Sequence, residues 1–271
     1  MQKTYCLLFF LILFITTGYA HDMFSDSTGG DELKSSRPSK IILLKRSIVR
    51  TAFNEYEIWR ADSITRENDQ LGVRKVKQYW LSVGKQMQEK NLKDSLWQEQ
   101  HPWSSAFISW VIVTSGAGCK FKPSPNHAGY IVWARHNRES KTNKEIFVAY
   151  DICDAHSRWP EPGDLISKNR DGNNFSLATI RSSDISHSDV VVEVDTVART
   201  MITIGGNLNN TVSKRMIHLD ANGYIDRAAT WQIMDNEMGN PEGKQSEFFA
   251  IIKLGTQKKS RTDQQILIAK R

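Results

Sequence analysis

The chain has 271 residues, 39% hydrophobic, 10% aromatic and 24% charged, with a formal net charge of +6. That length and apolar content are enough for one substantial core and exclude wholesale disorder. The basic residues are spread along the chain. No zinc-ligand spacing, aromatic ribonucleoprotein motif or concentrated basic helix is present, so no nucleic-acid partner is expected.

Residues 1–20, MQKTYCLLFFLILFITTGYA, join an early lysine, an apolar run and a small-residue Gly-Tyr-Ala end. This is the pattern of a secretory signal peptide cleaved after Ala20, and the run is shorter than the roughly 20 residues that span a bilayer. The expectation is an exported protein, periplasmic or secreted, with no stable membrane anchor after cleavage. Losing Lys3 leaves a mature charge of about +5, which suits anionic wall polymers as well as an ordinary solvated surface. Two cysteines remain, Cys119 and Cys153, and export permits either a disulfide or two thiols.

Residues 21–39 are polar and rich in Ser and Gly, as in a flexible linker. From there Ile41, Leu44, Ile48, Ala52, Tyr56 and Trp59 recur every three or four residues, which predicts an amphipathic helix. Val73, Val76, Trp80 and Val83 predict a second, stopped by Gly84. After the polar stretch 85–100 comes HPWSSAFISWVIV, residues 101–113, apolar at almost every position from Ala106 through Val113 apart from Ser109. Its length and the Pro-Trp-Ser-Ser start predict a buried helix. The second half of the chain changes period: residues 145–152, 188–195, 199–207 and 247–254 are β-branched and aromatic runs divided by turn residues, and predict strands. Helices first and strands later predict an α+β domain over 40–255, N-terminal helices packed on a mainly antiparallel sheet, followed by a basic tail at 256–271.

Ser104 opens the apolar helix. There it is either a nucleophile held rigidly beside helix amides or an N-cap whose oxygen satisfies one of them. A serine nucleophile needs a base, and His187 stands at the entrance of a strong strand. Asn207, at the exit of the next strand in MITIGGN, is placed to orient the imidazole or simply to make a turn. Asp189 shares a strand face with His187 and is a reserve orienter or a substrate contact. His127, in the Pro- and Asn-rich segment PSPNHAGYI, is expected to be exposed or to line the cleft, and Trp103 offers an apolar contact. His101, Asp151, Asp154 and His156 have no metal-ligand spacing, and Gly205-Gly206-Asn207 opens no strand-to-helix phosphate loop. Neither a metal nor any other cofactor is expected.

Taken in order, the blocks resemble two groups of proteins. Trp103 through Trp110 resembles the Trp-Cys-Ala-Ala-Phe-Val-Ser-Trp segment of papain-like cell-wall hydrolases of the CHAP and NlpC families, with Ser104 where they carry cysteine. Pro162-Gly163-Asp164-Leu165, His187 with the following DVVVEV, and Gly206-Asn207 resemble their later motifs. More closely, HPWSSAFISWV, NHAGYI, EPGDLI, HSDVVVEV and IGGNLNNTVSKR resemble a bacterial family catalogued as domain of unknown function 2272. The resemblance implies a papain-like fold and an amide-bond hydrolase, a peptidoglycan amidase or endopeptidase, with catalytic Ser104, His187 and Asn207. Serine for cysteine removes an easily formed thiolate, so the same resemblance also fits an inactive module that binds cell wall or a protein partner.

Overall fold

The computed structural model describes residues 38–61, 66–140, 146–154, 159–170, 172–234, 244–245 and 247–255. The expected leader, nearly all of the linker, the tail and His156 lie outside the described residues. Among the described residues six α-helices precede the first strand: α1 (Lys40–Ala61), α2 (Gln70–Ser82), α3 (Glu89–Leu92), α4 (Ser95–Gln100), α5 (Ser104–Ile112) and α6 (His127–Glu139). The strands are β1 (Phe147–Asp151), β2 (Leu165–Asn169), β3 (Ser186–Asp195), β4 (Thr200–Leu208), β5 (Thr211–His218), β6 (Thr230–Ile233), β7 (Lys244–Gln245) and β8 (Phe248–Leu254).

The strands form one sheet in the order β1-β8-β2-β3-β4-β5-β6-β7, every neighbouring pair antiparallel. The architecture is therefore α+β. The sheet is buried on both faces, since the successive residues Val190 and Val191 enter different apolar clusters. The first cluster joins the helices to the sheet through Ile48, Trp59, Val76, Phe107, Ile108, Val190 and Ile204. Complete burial of each such side chain contributes about 1.5–3 kcal/mol.

α1 buries Ile48, Ala52, Tyr56 and Trp59, the stripe its periodicity marks, and α2 buries Val73, Val76 and Trp80. α5 buries every residue from Ser104 to Ile112 except Trp110, then runs into a π-helical turn at Val113–Ala117. Two further polar groups have interior partners. The Tyr79 hydroxyl donates to Glu55 Oε1 at 2.5 Å and accepts the Trp59 indole N–H at 2.8 Å, while Lys75 closes on the other Glu55 oxygen at 3.0 Å.

Pro162-Gly163-Asp164-Leu165 is a structural pin. Asp164 accepts the backbone N–H of Glu161 at 3.0 Å and Lys253 Nζ at 2.7 Å, and Gly163 N donates to Val191 O at 2.8 Å, fixing the entry of β2 against β3 and β8. β5 and β6 lie in sequence that carries no strong strand pattern. β5 is formed by pairing with β4 across a two-residue hairpin, in which Asn209 and Asn210 take positive φ values of 53° and 63°. Asparagine tolerates this left-handed pair, the backbone that matches the strand twist. Cys119 and Cys153 are both exposed free thiols, which settles the disulfide alternative.

Candidate functional site: a serine and two histidines

Ser104 is the first residue of α5, one position inside the cap, so its hydroxyl is not at the N-cap position. Its Oγ lies instead 2.7 Å from Nε2 of His127. The cap position is occupied by Trp103, which is wholly buried. The Trp103 ring stacks on Trp59 with centroids 5.4 Å apart, and its indole N–H donates to Glu67 at 2.5 Å. Trp103 is thus a core anchor for the start of α5, with no face left for a substrate.

His127 is not in an exposed loop. It is the first residue of α6, 4% exposed, and three serines explain how it gets there. Ser105 and Ser109 lie one turn apart on α5, and both donate to the carbonyl of Ser124, at 2.9 and 3.3 Å. Ser124 N returns a bond to Ser109 Oγ at 3.1 Å. Two residues on, Asn126 caps α6 by accepting Gly129 N at 2.8 Å. The polar face of an otherwise apolar helix therefore holds the start of α6 against α5, so that His127 meets Ser104. A side chain at Gly129 would lie 2.2 Å from Ser124 Oγ, which accounts for the glycine. On its other edge, His127 Nδ1 is 2.5 Å from the Tyr130 hydroxyl.

His187 stands beside this pair, its ring centroid 5.1 Å from that of His127. Its Nε2 bonds Asp189 Oδ1 at 2.7 Å. Asp189 Oδ2 accepts in turn from Arg215 and, at 3.3 Å, from Thr203. The sequence suggests Ser104, His187 and Asn207 as a chain of contacts; the structure joins Ser104 to His127 and gives His187 to Asp189. Asn207 makes no hydrogen bond to His187. It sits in a β-bulge between Gly205 and Leu208 with φ at 56°, a left-handed position that turns it out of the strand alternation.

The two glycines before it shape the site by leaving space. A Cβ on Gly205 would lie 2.0 Å from Asp189 Oδ1, and one on Gly206 would lie 2.6 Å from Phe107 Cβ and 2.7 Å from the Trp103 ring. Their absent side chains admit the carboxylate at one position and α5 at the next.

Burial sets the protonation states. Ser104, His127, His187, Asp189 and Arg215 are exposed by 3, 4, 5, 1 and 2%. Desolvation draws His187 down to about 4, outweighing the attraction of Asp189. His127 is pushed well below its ordinary range, first by burial and then by repulsion from His187. Asp189 moves the other way: burial alone raises it, but Arg215 and then His187 hold it well below the usual carboxylate range. Near neutral pH the site thus holds two neutral imidazoles, one carboxylate and one guanidinium. A neutral imidazole touching a hydroxyl is a proton acceptor, and the hydroxyl a potential nucleophile. Among the described residues no three His, Cys, Asp or Glu side chains are gathered as a metal-ion site.

Fold and site together define an α+β domain with a buried serine–histidine contact and a second histidine held by an aspartate–arginine pair. The chain belongs to the family described as an uncharacterized protein conserved in bacteria (DUF2272), whose model matches residues 65–265. No curated protein and no solved structure matches the chain. Among the described residues, no helix is long and apolar enough to cross a membrane.

Proposed function

We propose that this protein is an exported hydrolase of amide bonds on a papain-like scaffold, acting on peptidoglycan stem peptides. The observation that carries the reading is the 2.7 Å contact of Ser104 with His127, made by a helix-start serine that is not the N-cap residue. The order of parts supports the scaffold, with a helix bearing the candidate nucleophile followed by an antiparallel pair whose first strand bears His187. The signal-like leader supports export, and the resemblance to cell-wall hydrolases supports the substrate class.

In this reading Ser104 Oγ attacks the amide carbonyl as its proton passes to His127 Nε2. The orphan backbone N–H groups in the first turn of α5 face the developing oxyanion, each such donor contributing about 3–4 kcal/mol. His127 then protonates the leaving amine, and water drawn through the same base releases the acyl group and restores the serine. Asp189 takes the orienting role toward His187 that the sequence assigns to Asn207.

The second reading, a papain-like module that binds cell wall or a protein partner without cutting, is favoured by a specific observation. A serine 3% exposed offers little approach to a polymer until something moves. Digestion of purified peptidoglycan by wild type, Ser104→Ala and Ser104→Cys, with products resolved by mass, separates the two. The hydrolase reading expects product from wild type and none from the alanine variant. Equal product from both removes Ser104 from the chemistry, and activity only in the cysteine variant identifies a binding module with a disabled site.

A further inference from the structure

Arg215 is an unexpected side chain in this interior. It stands in β5 opposite Thr203 of β4, is 2% exposed, and donates to Asp189 Oδ2. Its guanidinium carbon lies 4.3 Å from the centre of the Trp231 ring. Its Nε is buried with no hydrogen-bond partner. A buried ion pair is often no more stabilising than apolar residues of the same volume, and an orphaned donor adds to its cost. Stability alone therefore does not account for an arginine here, and its geometry points back to the site.

We infer that Arg215 is a positioning residue which, through Asp189, fixes the proton of His187 on Nε2 and leaves Nδ1 bare to accept one. The bond between His187 Nε2 and Asp189 Oδ1 needs a hydrogen from one side. A carboxylate paired with a guanidinium has none to give, so Nε2 carries it. The ring is neutral, so Nδ1 carries no proton, and among the described residues no hydrogen bond engages that atom. The charged groups around the ring agree: Lys168 is its partner across the β2–β3 register, Arg215 lies behind the carboxylate, and among the described residues Asp189 is the anion in contact. Thr203 adds a second donor to the oxygen that Arg215 holds. His187 thereby becomes a second proton acceptor beside the Ser104–His127 pair. That functional meaning rests on the hydrolase reading above, whereas the tautomer does not.

The test is nitrogen NMR of the full chain labelled in histidine, with His187 assigned by comparison with His187→Gln. At pH 7 wild type should show His187 protonated on Nε2 alone. In Arg215→Met the uncompensated Asp189 should charge the ring or reverse the tautomer, raising the His187 titration by about one unit or more. Arg215→Lys should restore the wild-type signal. Arg215→Gln, which keeps a donor without the charge, should behave as Arg215→Met and serves where the methionine variant does not fold. If peptidoglycan is cut, kcat in the uncharged variants should fall about 10²-fold or more, with KM little changed. A wild-type ring protonated on Nδ1, or a folded Arg215→Met or Arg215→Gln with unaltered tautomer and titration, overturns the inference. No hydrolysis together with the expected tautomer sinks the enzyme reading and leaves this one standing.

Discussion

Gly205→Ala is the smallest change that should damage the site without replacing any of its hydrogen-bonding side chains. The added methyl would lie 2.0 Å from Asp189 Oδ1, 3.0 Å from its Cγ and 3.2 Å from Leu208 Cδ1. A contact of 2.0 Å must open by more than 1 Å, and the carboxylate has no slack. One oxygen is bonded to His187, the other to Arg215 and Thr203, and the residue is 1% exposed. Overpacking costs about 1–3 kcal/mol, and breaking a buried charge pair costs about 3–5 kcal/mol. Because relaxation relieves one at the expense of the other, the expected loss is about 3–5 kcal/mol rather than their sum. Urea unfolding followed by circular dichroism should show a lower midpoint at unchanged slope, and Tm should fall by roughly 6–20 °C for a chain of this size. Gly255→Ala, where the new methyl meets nothing within 4 Å, is the control and should stay within about 0.5 kcal/mol of wild type. If Gly205→Ala unfolds within about 1 kcal/mol of wild type, Asp189 is not held as described, and the account of the glycine pair is wrong.

His187 has a folded value of about 4 against an ordinary 6.5, so its contribution to stability is complete above 6.5 and is lost as pH falls toward 4, with His127 acting in the same direction. Asp189, held low when folded, adds a further loss only below its ordinary 3.8. Urea midpoints at pH 7.5, 6 and 4.5, conditions of about those values, should fall in order, and a midpoint independent of pH above 4.5 would refute the burial of neutral imidazoles. Tyr79→Phe strands Glu55 Oε1 and the Trp59 indole together and should cost about 2–3 kcal/mol in the same assay, a near-neutral result placing that hydroxyl in water. Ser105→Ala removes one of two donors to Ser124 O and should cost about 1 kcal/mol while loosening His127, seen as a broadened His127 ring signal. Cys119 and Cys153 should both react with a thiol reagent in the folded protein, and reductant should leave Tm unchanged.

Local order was legible in the sequence because it depends on near neighbours. The spacing of Ile48, Ala52, Tyr56 and Trp59 fixes the buried stripe of α1, the apolar run after Ser105, interrupted at Ser109, marks an interior helix, and the alternating β-branched runs mark β1, β3, β4 and β8. From these the α+β class follows, as does the place of Ser104 at a helix start. Which histidine meets that serine was decided elsewhere. His127 and His187 are equally polar words in the sequence, and only the docking of Ser124 onto Ser105 and Ser109 brings the first to Ser104, while strand pairing brings Asp189, Thr203 and Arg215 around the second. Asn126 three residues ahead of a glycine and the following apolar spacing were the one local signal that His127 begins a helix. Gly205 and Gly206 read as turn formers, since a sequence names the side chain that is missing but not the carboxylate or the ring that fills its place. Contacts between residues far apart in the chain, such as Asp189 with Arg215 or Gly206 with Phe107, are set by how elements pack, and no period along the chain encodes them.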